Sequence, residues 1–286
     1  MIDRFAQCFD RRQANGATAL MAFITAGDPD RETSRRLIES LPAAGADIVE
    51  IGVPSADPVL DGPVIKASHA RAVAAGATPH TALDLAAGVR RANPDVPLLL
   101  MGYAPDLRRF GARLFLSGAR EAGADGVLVV EATAIETAAW RADALRNGLA
   151  WIPIAPPDDP AALDIPGWAK RGFIYSVASP GATGGTPPSV AAMAKGIGRL
   201  RERLDLPVVA GFGIRTAAMA QAVGGFADGI AVGTAIVKAI GDNLDSQGKP
   251  MPGLADALAE TVKGIAAGVG GRRLTAVSGA RIRGQR

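Results

Sequence analysis

Short apolar runs alternate with longer segments of helical spacing along most of the chain. Each run is apolar at consecutive positions rather than at every second one, and Gly, Pro or Asp soon follows it. Strands that are apolar on both faces are typical of a parallel sheet covered by helices. The pattern predicts eight strands, at Ala19–Thr25, Ile48–Gly52, Leu98–Met101, Gly126–Val130, Leu149–Ile154, Phe173–Val177, Val208–Gly211 and Gly229–Val232.

The number and order of these elements indicate the fold. Eight strand–helix units in 286 residues fit an α/β protein of the (β/α)₈ TIM barrel type, which takes about 250 residues. A doubly wound sheet would have fewer strands and a Gly-rich turn after the first, but Ala26–Pro29 lacks that turn. Similar segments, Ala44–Asp47, Ala122–Asp125 and Phe226–Gly229, mark three helix-to-strand junctions. We expect one barrel domain over residues 1–267.

Positive charge is concentrated at the C-terminus. The net charge is +3, but the last 15 residues hold five arginines and no acid, so the rest of the chain carries −2. Residues 268–286 are therefore predicted to form a basic, disordered Gly/Arg tail. Nucleic-acid binding would require a basic face with aromatic residues between the charges. An aromatic content of 5% does not suggest such a face, so this function is not expected.

Composition also excludes several classes of protein. The single cysteine, Cys8, permits no internal disulfide and no thiolate metal cluster. No apolar run reaches the roughly 18 residues of a membrane span, and no apolar core follows the charged start Met1–Arg4. We therefore expect a cytoplasmic protein that has no membrane partner.

Two acids lie where a barrel places its chemistry, at the carboxyl ends of the strands. Glu50 is the one charged residue in an apolar strand, where a buried carboxylate costs several kcal/mol unless its surroundings compensate. Asp61 follows in a Pro/Asp/Gly-rich loop. The pair indicates proton transfer. Two alternatives remain: Glu50 satisfied structurally by a neighbouring hydroxyl, and Asp61 acting only as a turn former before glycine.

Three glycine-rich segments follow the last three predicted strands, at Gly181–Gly185, Gly211–Ile214 and Gly233–Ala235. Backbone N–H groups can approach a phosphate closely where no side chain intervenes, and barrels often bind a phosphate after the seventh and eighth strands. The segments therefore predict a phosphate site, although tight turns alone would give the same residues.

Other catalytic groups are missing from the expected places. The two histidines, His69 and His80, fall in helical or pre-helical stretches away from acid clusters, so neither is expected to be catalytic and no metal site is predicted. No lysine lies inside a predicted strand, which disfavours Schiff-base chemistry. Carboxylate acid–base catalysis on a phosphorylated substrate remains, with no cofactor.

From about Ile2 to Ile240 the sequence resembles the tryptophan synthase α subunit family of (β/α)₈ barrels. The strongest segment is Ala44–Pro54, which continues to Asp57–Pro58 and Asp61–Pro63. Shorter segments support it, at Phe23–Pro29, Phe173–Tyr175, Gly181–Gly184, Gly211–Ile214 and Val232–Ile236.

The resemblance implies retro-aldol cleavage of indole-3-glycerol phosphate to indole and glyceraldehyde 3-phosphate. By position, Glu50 resembles the family's general acid–base, and Asp61 resembles the acid that binds the indole N–H. Protonation of indole C3 makes the ring an electron sink, so the bond can break without lysine or metal. The substrate-binding residues that the resemblance implies are Phe23, Thr25, Leu100, Tyr175, Thr183, Gly184, Phe212, Gly213, Gly233 and Thr234.

Several loops depart from the family's pattern. Ser55–Ala56 replaces Phe-Ser, Lys66 replaces a glutamine, and Gly102–Asp106 lacks an expected asparagine. Glu131–Thr133 replaces Asp-Leu-Pro or Asp-Val-Pro, and Val177–Pro180 lacks a serine and an arginine of the closing loop. In the family these loops meet the β subunit. We hypothesise that indole formation is retained, while partnership with a β subunit is weak, reshaped or lost.

Other functions remain open at this point. The chain could be the α chain of a tryptophan synthase, or a free-standing indole-3-glycerol phosphate lyase. It could also be a catalytically idle barrel that regulates a partner enzyme, although the retained Glu50 and Asp61 count against idleness. A phosphate-binding isomerase or a flavin-dependent oxidoreductase would share the glycine loops.

Overall fold

The computed structural model describes residues 3–155, 171–177, 189–203, 205–211 and 213–270. All eight predicted strands are present in one parallel sheet, which confirms the (β/α)₈ barrel. The fifth is divided in two, so nine strands are counted among the described residues. They are β1 (Ala19–Thr25), β2 (Ile48–Gly52), β3 (Leu98–Tyr103), β4 (Gly126–Val130), β5 (Ala150–Trp151), β6 (Ile154–Ala155), β7 (Ile174–Val177), β8 (Val208–Gly211) and β9 (Gly229–Val232).

Eleven helices lie within the described part of the chain. None of them is long and apolar enough to cross a bilayer. They are α1 (Arg4–Ala14), α2 (Arg31–Ser40), α3 (Pro63–Ala74), α4 (Pro79–Ala92), α5 (Ala104–Phe110), α6 (Ala112–Glu121), α7 (Ala134–Arg146), α8 (Val190–Arg203), α9 (Ala217–Gly224), α10 (Thr234–Asp242) and α11 (Leu254–Val269).

The ring of strands closes where the fifth predicted strand is interrupted. The sheet order runs β5-β4-β3-β2-β1-β9-β8-β7-β6, and only Ile152–Pro153 separates the two edge strands along the chain. Pro153 has no N–H to donate, but its carbonyl accepts from Tyr175 N at 2.9 Å. The chain therefore pairs with β4 before this proline and with β7 after it.

Alternation along the strands sorts the apolar residues into two cores. One core lies between the sheet and its helices. The other fills the barrel, where Met21, Leu99 and Leu128 point inward with alternate residues of other strands. Helix α1 covers the amino-terminal end of the barrel with Phe5, Phe9 and Cys8, and burial raises the pKa of the Cys8 thiol to about 12.

The repeated segments noted in the sequence form the same contact three times at that end. In each, an aspartate carboxylate accepts the N–H of the first or second residue of a neighbouring strand: Asp47 from Leu20 at 2.9 Å, Asp125 from Leu98 at 2.9 Å, and Asp228 from Val208 at 3.0 Å. Each aspartate also pairs with at least one arginine, such as Arg201 with Asp228. These contacts join adjacent strands away from the carboxyl-terminal end.

Candidate active site

A cavity of about 500 Å³ opens at the carboxyl-terminal end of the barrel. Its walls come from all eight predicted barrel strands and from the loops that follow β2, β4, β8 and β9. They include seven of the sequence-predicted site residues, namely Phe23, Glu50, Asp61, Tyr175, Gly213, Gly233 and Thr234. The two acids and residues of two glycine-rich segments, Gly211–Ile214 and Gly233–Ala235, therefore share one pocket. The segment Gly181–Gly185 lies outside the described residues.

Glu50 projects from β2 into the barrel and is 2% exposed. Its Oε2 atom is buried, and none of the described residues donates a hydrogen bond to it. Burial, and secondarily the charge of Asp61, raises the pKa of Glu50 to about 8. Glu50 thus holds a proton near neutral pH and can donate it into the cavity. Within the described structure no hydroxyl satisfies this carboxyl group, as the structural alternative would require.

Asp61 lies in the loop between β2 and α3, where a hydrogen bond from its N–H to Pro58 O closes a turn. Asp61 also makes a contact that a turn does not require, because Tyr103 Oη donates a hydrogen bond to the Oδ2 atom of its carboxylate at 2.8 Å. Burial raises the pKa of the Tyr103 phenol, as do the charge of Asp61 and this hydrogen bond, so the phenol remains a donor. Asp61 is held at the cavity wall as an acceptor.

The start of α10 offers backbone hydrogen-bond donors, in contrast to the two acids. Gly233 occupies the N-cap position, and no side chain caps the first N–H groups of this nine-residue helix. Gly213, with φ +56°, adds backbone with open space where a Cβ would be. Thr234 contributes a hydroxyl to the same wall. Uncapped amides and a helix dipole favour an anion such as phosphate.

Two aromatic rings line the cavity because glycines make room for them. A Cβ on Gly52 would come within 2.6 Å of the Phe23 ring, and a Cβ on Gly211 within 2.6 Å of the Tyr175 ring. Both distances are shorter than packed carbon atoms allow. The glycines at the ends of β2 and β8 therefore set the positions of the flat apolar walls.

Two predicted substrate contacts are corrected by the structure. Leu100 points away from the barrel into the outer core, and its neighbour Met101 lines the cavity instead. Thr25 is fully buried, and its hydroxyl is bonded to Ser68 Oγ at 2.6 Å behind the cavity wall. The remaining three predicted contacts, Thr183, Gly184 and Phe212, lie outside the described residues, as does the tail from residue 271.

The sequence interpretation missed several residues of the site. Met101 and Tyr103 line the cavity, and the side chain of His69, which is only 1% exposed, lies directly behind Asp61. Strand alternation places Leu99, Met101 and Tyr103 on one face of β3, but an apolar strand does not show from its sequence which face points inward. No sequence signal would have marked His69, because a histidine on an otherwise ordinary helix has many structural uses. Among the described residues, no three His, Cys, Asp or Glu side chains are grouped to hold a metal ion.

Comparison with known proteins identifies the family. The model of the family described as tryptophan synthase alpha chain matches residues 9–264. This chain belongs to that family. Its members are lyases that act on indole-3-glycerol phosphate in tryptophan biosynthesis, so the family assignment confirms the sequence interpretation.

Several solved structures have the same fold over nearly the whole chain. A protein from Aquifex aeolicus is 31% identical, with a TM-score of 0.82 over 94% of this chain and 99% of its own. The tryptophan synthase of Mycobacterium tuberculosis gives 28% identity and a TM-score of 0.82 over 96% and 100%. Tryptophan synthase subunit alpha from Legionella pneumophila is 26% identical, with a TM-score of 0.81 over 94% of this chain and 99% of its own.

Proposed function

We propose that this chain cleaves indole-3-glycerol phosphate into indole and glyceraldehyde 3-phosphate within the cavity at the carboxyl end of the barrel. The observation that carries the proposal is the environment of Glu50. A protonated, unpartnered carboxyl group beside a second acid, in an apolar pocket of about 500 Å³, fits proton transfer to a flat aromatic substrate.

Glu50 supplies the proton that starts the reaction. Its carboxylic acid protonates indole C3, and the ring then carries positive charge. The resulting carboxylate accepts the proton of the glycerol hydroxyl as the carbon–carbon bond breaks, so the two electrons of that bond return to the ring. A carboxyl group whose pKa lies near the working pH serves both steps.

Asp61 stabilises the charged ring. Its carboxylate accepts the indole N–H, where positive charge develops after C3 is protonated. Tyr103 donates to Oδ2 at 2.8 Å, and no described residue donates to Oδ1, which can take the substrate N–H. The uncapped start of α10 binds the phosphate at the cavity wall, with Gly213 and Gly233 allowing close approach.

The direct test is the Glu50→Gln variant, which keeps the shape of the side chain but cannot release a proton. We expect indole release to fall at least 100-fold, since positioned acid–base groups contribute about 10²–10⁴. Affinity for indole-3-glycerol phosphate should stay within about tenfold, because the loss is confined to the transition state. Turnover and substrate binding are measured separately, by indole production and by calorimetry.

A matched control is Glu121→Gln, which makes the same substitution at the exposed end of α6, outside the cavity lining. Its turnover should equal that of the wild type. If Glu50→Gln retains most of the wild-type rate, Glu50 is a structural residue and the proposed mechanism is wrong.

The second proposal concerns a β subunit. The M. tuberculosis structure is of a tryptophan synthase, so a β subunit is the partner to be tested for this chain. Around the loop after β4, Glu131 has φ +61°, Arg108 of α5 pairs with Glu136 of α7, and Ile135 is 83% exposed. Together with the departures in sequence, this surface supports a reshaped or weakened β partnership.

Mixing the purified chain with a tryptophan synthase β subunit tests this second proposal. We expect indole release to change less than twofold and no stable complex to elute from a sizing column. A large acceleration, or a stoichiometric complex, would show that the usual partnership is intact. Neither result affects the assignment of Glu50 and Asp61.

A further inference from the structure

The buried His69 faces two parts of the site with its two ring nitrogens. It lies on α3, and its side chain is 1% exposed. Nδ1 accepts the backbone N–H of Ser55 at 3.0 Å, in the loop that carries Asp61. Because a backbone N–H can only donate, Nδ1 has no proton, and the neutral ring carries its hydrogen on Nε2.

That Nε2–H faces Asp61. Nε2 lies 3.5 Å from Asp61 Oδ2, is buried, and makes no hydrogen bond among the described residues, so Asp61 is the acceptor that it faces. Tyr103 Oη donates to the same Oδ2 atom, and the rings of His69 and Tyr103 meet edge to face with centroids 6.3 Å apart. Two donors thus approach one carboxylate oxygen from α3 and β3. Catalytic contacts of this length in an unliganded site often shorten when substrate binds.

The surrounding charged groups leave few other donors for this carboxylate. On α3, Arg71 is bound to Asp28 through two hydrogen bonds of 2.7 and 2.8 Å. The groups that face Asp61 and Tyr103 from other strands are acids or a phenol, namely Glu50 from β2, Glu131 from the end of β4 and Tyr175 from β7. Because these neighbours do not supply a positive charge, a fixed hydrogen-bond donor is needed to stabilise the orientation of the Asp61 carboxylate.

We propose that His69 is a positioning residue for Asp61, which holds the carboxylate through Nε2–H so that Oδ1 faces the substrate N–H. Through Ser55 the same ring ties the loop to this orientation. The inference rests on the proposed function, since it assigns the support for an acid that the reaction uses. Fixing a carboxylate from a loop by two donors reduces its rotational freedom before the substrate arrives.

Two substitutions separate this role from simple anchoring of the loop. His69→Gln places an amide N–H near the position of Nε2 and removes the acceptor at Nδ1. His69→Asn keeps an acceptor near Nδ1 and removes the donor to Asp61. If His69 positions Asp61, the asparagine variant should lose about 10–100-fold in kcat with KM changed less than threefold, as outer hydrogen-bond partners typically do. The glutamine variant should stay within about fivefold of the wild type.

The reverse order would overturn the proposal. A fully active asparagine variant with a defective glutamine variant would mean that His69 only anchors Ser55, and two fully active variants would mean that it does neither. Circular dichroism at the assay temperature confirms that each variant is folded before its kinetics are compared.

A second measurement does not depend on turnover. In a cycle with His69→Asn, Asp61→Asn and the double variant, unfolding in urea reports whether the two side chains interact. We expect His69→Asn to lower the midpoint clearly in the wild type and little in the Asp61→Asn background. Equal shifts in both backgrounds would contradict the proposal. If the wild type releases no indole, the proposed function fails, while this cycle still decides whether His69 holds Asp61.

Discussion

At the scale of single residues, the site depends on the unlike surroundings of two carboxyl groups. Glu50 is buried without a donor among the described residues, and burial raises its pKa to about 8. Asp61 accepts a hydrogen bond from Tyr103 and faces His69. One acid can therefore donate a proton while the other accepts an N–H, which is how a pair of similar groups takes opposite roles.

The raised pKa of Glu50 predicts a pH dependence of stability. Glu50 binds a proton more tightly in the folded chain than in the unfolded chain, where its pKa is near 4.5. Its contribution is therefore fully present below about pH 4.5 and is lost as pH rises towards 8, with a slope of up to about 1.4 kcal/mol per pH unit. Urea unfolding at pH 5.5 and 7.5 measures this slope.

The Glu50→Gln variant is the control, because glutamine does not titrate. We expect the wild type to lose stability relative to this variant as the pH is raised from 5.5 to 7.5. Parallel curves for the two proteins would show that the pKa of Glu50 is not raised in the folded chain.

Sequence reasoning placed the two acids correctly in one cavity but misplaced two of their neighbours. Glu50 could be found because a charged residue interrupts an apolar strand. Leu100 could not be assigned to a face, because β3 is apolar on both sides and only the packed barrel shows which side is inward. Thr25 continues the inward alternation of β1, but Ser68 of α3 takes its hydroxyl. His69 was dismissed, since its contact with Asp61 depends on how α3 packs.

At the scale of elements, glycines at the ends of two strands leave room for the aromatic rings that line the cavity. Gly211→Ala places a Cβ 2.6 Å from Cε1 of Tyr175. The ring or β8 must then shift, which we expect to cost about 1–3 kcal/mol of stability. Affinity for substrate should fall at the same time, because Tyr175 lines the cavity. Thermal unfolding and calorimetric titration measure the two effects.

Gly264→Ala in α11 is the matched control for that substitution. Nothing lies within 4 Å of its Cβ position, so replacing a helical glycine should stabilise the protein by about 0.5–1 kcal/mol. Substrate affinity should not change. A Gly211→Ala variant that behaves like Gly264→Ala would contradict the close contact with Tyr175.

The aspartates at the amino-terminal end should matter for stability and not for catalysis. Asp125 accepts from Arg4 at 2.9 Å, from Arg90 at 2.7 Å and from Leu98 N at 2.9 Å. Asp125→Ala breaks both arginine pairs and removes the acceptor of the Leu98 N–H, which we expect to cost about 3 kcal/mol. Asp84→Ala, which breaks an exposed pair with Arg31, should cost less than about 1 kcal/mol. Urea unfolding compares the two variants.

Turnover distinguishes this prediction from a general loss of structure. At a temperature where both variants are folded, each should release indole at the wild-type rate. A lower rate in Asp125→Ala alone would mean that the amino-terminal contacts control the shape of the cavity.

The sequence predicted the order of the strands better than the residues at which strands and helices begin and end. All eight strands follow from consecutive apolar positions, since parallel strands under helices require them. The interruption of the fifth strand at Pro153 comes from the missing N–H of proline, which the apolar pattern from Leu149 to Ile154 conceals. The barrel domain was expected to end at residue 267 and the tail to begin at 268, but helix α11 extends to Val269, which is buried in the outer core.

For the whole molecule, the two ends of the barrel have separate tasks. The amino-terminal end is closed by α1 and by aspartate–arginine contacts that join neighbouring strands. The carboxyl-terminal end holds a cavity with two acids on one side and uncapped backbone N–H groups at the start of α10. A substrate with an aromatic ring and a phosphate fits this polarity, and so does the chain's membership of the tryptophan synthase alpha chain family.

The central claim is that this cavity breaks a carbon–carbon bond by proton transfer alone. The most direct test is to incubate the purified chain with indole-3-glycerol phosphate and measure both products over time. We predict indole and glyceraldehyde 3-phosphate in equal amounts, with no added metal or cofactor, and almost none of either from the Glu50→Gln variant. Unchanged substrate after prolonged incubation, or equal product from the variant, would contradict the account.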